Sequence, residues 1–113
     1  MPDLNDLKPD VFVPQLLNVA RTTAGPLWDD IQQTASHEFR VLALRIRDIG
    51  EGVASGDVSR TAARILFRMA KRNLIATIAM LTIMIEAAAQ KLVNAVLKEI
   101  KSIVNGALGF TLV

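Results

Sequence analysis

Cysteine and tyrosine are both absent from this chain of 113 residues. The missing cysteine excludes disulfides, thiolate metal sites and cysteine nucleophiles. The aromatic residues are Phe12, Trp28, Phe39, Phe67 and Phe110, so a core has to be built from Leu, Ile, Val, Ala and Met. Proline and glycine are sparse inside the long periodic segments, which favours helix over sheet. The glycines at 50, 52 and 56 follow no strand and are spaced GxGxxxG, so they read as a flexible turn rather than a dinucleotide loop. His37 is the single histidine, too little for a recognisable metal site. No convergent set of nucleophile, base and orienting group stands out, so the sequence predicts no enzyme and no cofactor. The opening MPDLNDLKPD is acidic and lacks the apolar stretch of a signal peptide. That predicts an intracellular setting or a place within an assembled particle.

The net charge of +2 is unevenly placed. Residues 1–39 hold two basic side chains against six acidic ones, a net of −4. Residues 40–113 hold eleven against five, a net of +6. Such asymmetry suits pairing within or between chains, and also an anionic partner.

Pro2, Pro9 and Pro14 predict an extended or turning start, with a short helix from about Pro14 to Arg21 within residues 1–25. Pro26 then opens a helix over 26–52. Its apolar positions, Trp28, Ile31, Ala35, Phe39, Leu42, Ile46, Ile49 and Val53, step by three or four and form one stripe. Asp57 is placed to cap the next helix. From Val58 to Asn105 there is neither glycine nor proline. The sequence therefore predicts one continuous helix over 57–105, roughly 70 Å long at about 1.5 Å per residue. An apolar tail, 106–113, follows. The expected fold is all-α: a long antiparallel helical hairpin plus a short N-terminal helix, packed into an oligomeric helical assembly.

The predicted long helix has three zones. Its first turns carry Arg60, Arg64, Arg68, Lys71 and Arg72, a candidate anion-binding surface, beside an apolar stripe of Val58, Ala62, Ile65, Leu66 and Met69. Its last turns are amphipathic, with Leu92, Val93, Val96, Ile100, Ile103 and Val104 opposite Lys91, Lys98 and Lys101. Between them, Leu74–Ile85 reads LIATIAMLTIMI with no charge. At twelve residues it is short of the roughly 20 that span a membrane. A helix apolar all round has to be buried all round. Leu74, Ile75, Ile78, Leu81, Ile83 and Ile85 are therefore the expected oligomer interface. Glu86 is the single charge between Arg72 and Lys91, and is the candidate buried carboxylate.

These features predict a structural, self-associating protein that builds a homo-oligomer or larger assembly, such as a particle, shell or tail component of a virion. A different class fits the same residues: a membrane-associated protein that meets anionic lipid through 74–85 and the basic amphipathic segment 90–105. A third class is a basic bundle that binds nucleic acid, although no aromatic residues interleave with the cations for base stacking.

Overall fold

The computed structural model describes residues 4–113. Residues 1–3 of the expected extended start lie outside the described residues. A 3-10 turn at Leu4–Leu7 leads into α1 (Pro9–Ala24), and a second 3-10 turn at Gly25–Leu27 leads into α2 (Trp28–Ala54). Then come α3 (Arg60–Leu81) and α4 (Glu86–Leu108). No strand occurs among the described residues, so the all-α expectation holds.

α1 packs on α2 and α4, and α3 packs on the same two helices. The helix directions follow from what meets at each pole. At one pole Gly50, near the end of α2, lies against Leu4 and against Leu108 at the end of α4. Arg64, in the second turn of α3, reaches the same pole by donating to the Thr111 carbonyl at 2.9 Å. At the other pole Thr23, Ala24 and Leu27 line a hollow with Met84, Ala88 and Leu92. Consecutive helices therefore run antiparallel, as an up-down-up-down bundle of four, with overall extents of 40 × 24 × 19 Å. Gly50 permits the close approach there, since a Cβ on it would collide with the Leu108 side chain.

Helix boundaries differ from the expectation at several points. α2 starts at Trp28, after the 3-10 turn that holds Pro26, and runs through Gly50 and Gly52 to Ala54, and α4 runs through Gly106 to Leu108, so the tail starts at Gly109. Two further differences have a plain physical reason. α1 begins at Pro9, ahead of Pro14, and holds Pro14 in its interior. Pro9 suits a first helical turn. The lost hydrogen bond at Pro14 is offset by burial of Phe12, Leu16 and Ala20 on the inward face. Ser59 rather than Asp57 caps α3: its Oγ accepts from the Ala62 N–H at 3.0 Å. Asp57 instead accepts from the Ser55 hydroxyl at 3.0 Å within the turn.

The larger correction is that 57–105 is two helices, not one. The chain breaks at Thr82, whose backbone is extended at φ −128° and ψ −180°. Its hydroxyl donates to the Ile78 carbonyl at 2.6 Å and accepts from the Met84 N–H at 3.1 Å. One side chain thus satisfies groups on both sides of the break. Thr82, Ile83 and Ile85 are β-branched and weak helix formers, which lowers the cost of leaving the helix here. Ile85 is likewise extended, and α4 starts at Glu86.

The break places the apolar face of α4 against the other helices. Val93, Val96, Ile100 and Val104 are buried with Phe12, Leu16, Phe39, Ile46 and Ile78 in one core. Each such side chain contributes roughly 1.5–3 kcal/mol on burial. Phe39→Ala should therefore cost about 3–5 kcal/mol by cavity formation. Thr82→Val, which keeps the shape but loses both hydroxyl bonds, should cost about 1–2 kcal/mol. Urea unfolding followed by circular dichroism measures both.

Candidate interaction surface

The break divides the expected interface in two. Leu74, Ile75 and Ile78 point into the chain's own core, and Ile78 is fully enclosed. These three are satisfied without a partner, so the chain itself covers half of the zone that was expected to need other copies. Met80, Leu81, Ile83 and Ile85 have the opposite fate. They stand 80%, 63%, 70% and 71% exposed around the α3–α4 corner. Met84 alone turns inward at this corner and is buried.

A second exposed apolar surface lies on the α2–α3 side. Ile65, Leu66 and Met69 of α3 are exposed, so this expected packing stripe faces outward. The inward stripe is Ala63, Phe67, Leu74 and Ile78. Val41 and Leu44 of α2 are also exposed. Between the helices runs a groove lined by Glu38, Val41, Leu44, Arg45, Asp48, Ala70 and Asn73. It continues past Arg45 to Met69 and Arg72. Ala70 and Asn73 have short side chains, which leaves the groove hollow.

Glu86 is not buried. It is exposed in the first turn of α4, where a carboxylate favours the helix dipole. The expectation of a buried charge rested on an uninterrupted helix, and the break puts Glu86 at a helix end instead. Asp29 and Asp30 take the equivalent place in the first turn of α2. All three acids thus lie at the pole of the exposed corner.

The cations of α3 divide by role. The guanidinium carbons of Arg60 and Arg64 sit 5.3 and 5.7 Å from the Phe110 ring centroid, within cation–π range. Arg64 also holds the Thr111 carbonyl. Arg68 and Arg72 are exposed, and Lys71 is half-buried. Among the described residues the uneven charge does not resolve into ion pairs between helices. Among the described residues the ion pair present is Arg47–Glu51, one turn apart on α2 at 2.8 Å.

The tail is held by a side chain that sequence reasoning missed. Asn105 Oδ1 accepts from the N–H groups of Leu112 and Val113 at 2.9 and 3.0 Å, and its Nδ2 donates to the Val113 oxygen at 3.2 Å. Gly109, at φ 77°, supplies the left-handed residue that ends α4. Phe110 and Leu112 are thereby buried under the bundle. Helical spacing alone places Asn105 on the polar face of 90–105, with no hint of this clasp.

The apolar face of 90–105 belongs to the core, so it is not open to lipid as the membrane reading expected. Among the described residues no helix is long and apolar enough to cross a membrane. No acidic or basic side chain is buried among them, and no cluster of three or more potential metal ligands occurs. His37 is exposed on α2. The large apolar side chains left exposed gather mainly at a corner and along a ridge. Comparison with protein-family models, with curated proteins and with solved structures finds no match.

Asn105→Ala would leave the N–H groups of Leu112 and Val113 without their acceptor. It should cost about 1–3 kcal/mol and speed amide hydrogen exchange at 110–113 while leaving α2 protected. Exchange mass spectrometry with denaturant titration checks this.

Proposed function

We propose that this protein is a structural, self-associating helical protein, whose copies join into an oligomer or larger assembly such as a particle, shell or tail component. The observation that carries the reading is the α3–α4 corner, where four large aliphatic side chains project into solvent. Contiguous apolar surface of this kind marks an interaction site. Burying each of these side chains is worth roughly 1.5–3 kcal/mol. Burying several together competes with the estimated 4–15 kcal/mol that association costs in lost freedom of motion.

Lipid and nucleic acid receive less support. The corner lies at the pole that carries Asp29, Asp30 and Glu86, which repel an anionic headgroup surface. Two of the five α3 cations are engaged with Phe110, and one of these also with Thr111. That leaves Arg68, Lys71 and Arg72 as a short cationic stretch without an aromatic platform among them.

Light scattering on detergent-free protein at micromolar concentration should give a mass above that of the 12.3 kDa chain, rising with concentration. A stable monomer there would overturn the reading. Ile83→Asp should lower the mass, whereas Lys98→Asp, on the exposed face of α4, should leave it unchanged.

A further inference from the structure

The two exposed apolar surfaces differ in the charges around them. At the corner pole, the helix-end turns carry Asp29, Asp30 and Glu86 against Arg21, with Lys91 further along α4. On the ridge, Arg68 and Arg72 follow Ile65 and Met69 by three residues each, and so share their side of α3. No acidic residue occurs anywhere from Val58 to Ile85. Across the groove Arg45 faces the ridge, with Glu38 and Asp48 as the acidic groups lining it.

Shape follows the same division. The corner holds Leu81, Ile83 and Ile85 out in solvent. The groove is hollow where Ala70 and Asn73 face Val41 and Leu44. Met69 precedes Leu81 by twelve helical residues, roughly 18 Å along the axis, so both surfaces can be occupied at once.

Resting on the self-association reading above, we infer that copies join corner to ridge: the α3–α4 corner of one copy seats in the α2–α3 groove of the next. A corner-to-corner contact would bring Asp29, Asp30 and Glu86, which outnumber Arg21 and Lys91 at that pole, against their own copies. A ridge-to-ridge contact would bring Arg68 and Arg72 against their own copies. Like charges held together in this way are disfavoured, whereas corner on ridge sets these acids beside Arg45, Arg68 and Arg72, which outnumber Glu38 and Asp48 there. The contact is heterologous, because each copy offers one corner and one ridge. It therefore propagates into a ring if the rotation closes and into an open filament if it does not.

Two exposed-site variants test the mode. Ile83→Asp blocks the corner and leaves the ridge; Met69→Asp blocks the ridge and leaves the corner. Both positions lie outside the core, and circular dichroism verifies the fold. Light scattering should show wild-type protein assembling and each variant alone as a monomer. An equimolar mixture should form dimers and stop there, since one working corner meets one working ridge. A mixture that stays monomeric while the wild type assembles overturns the inference. So do dimers of Met69→Asp alone, which would mean corner-to-corner contact, and dimers of Ile83→Asp alone, which would mean ridge-to-ridge contact. These outcomes leave self-association standing. A monomeric wild type removes it, and co-flotation of that monomer with phosphatidylcholine–phosphatidylserine vesicles would identify lipid as the occupant instead. A charge exchange gives a second arm. Glu86→Lys should weaken assembly about tenfold, and mixing it with Arg72→Glu should restore a pair. Equal assembly of Glu86→Lys and wild type overturns the charge argument.

Discussion

The Thr82 hydroxyl, donating to the Ile78 carbonyl while accepting from Met84, fixes the place where the chain turns back on itself. Everything on the α4 side of the core depends on that reversal. A straight continuation would carry Leu92, Val96 and Ile100 away from the other helices and leave their shared apolar face in water. With the reversal, α4 lies between α1 and α3, and the fourth wall of the core is closed. The Asn105 clasp then completes the far end by holding Phe110 and Leu112 over the pole where Gly50 and Leu108 meet.

The same reversal creates the exposed corner. Turning within four residues, Thr82 to Ile85, lets one of the apolar side chains there point inward, and Met84 takes that place. Met80, Leu81, Ile83 and Ile85 are left outside. Core closure and surface apolarity are thus two results of one short connection. A turn made of polar residues would have closed the core without the patch. The acids at the ends of α2 and α4 border this patch because helix N-termini favour carboxylates.

Much of the bundle was legible in the pattern of side chains. The stripe from Trp28 to Ile49 located α2 and its buried face, and the apolar positions from Leu92 to Val104 did the same for α4. A turn after α2 was legible too, but not its place: Gly50 and Gly52 stay inside the helix, and only Gly56 lies in the turn. The break at Thr82 was not, because glycine and proline are one class of stop signal and a hydroxyl bonding back to the preceding turn is another. The available cue was three β-branched residues within four, inside a run that reads as uniformly apolar. Misreading the break carried over to Glu86, which looked buried only while the helix seemed continuous. It also joined Leu74, Ile75 and Ile78 to Leu81, Ile83 and Ile85 as one surface, whereas the structure puts the first three inside and the last three outside. On α3 two apolar stripes compete, and periodicity alone does not say which one faces inward. The stripe that faces inward is the one that continues from Ala63 and Phe67 through Leu74 to Ile78, while Ile65, Leu66 and Met69 stay outside.

The order of neighbours in the bundle has a kinetic consequence. Three of its four helix contacts join elements adjacent in the chain, across connections of three to five residues. These require little loop closure and form early. The remaining contact, α1 on α4, joins segments from opposite ends of the chain and carries most of the entropy of closure. The meeting of α1 with α4 is therefore the late step. Until that contact forms, the inward faces of α1 and α4, with Leu16 on one and Val96 on the other, lack each other's cover, so the chain shows more apolar surface than the finished bundle.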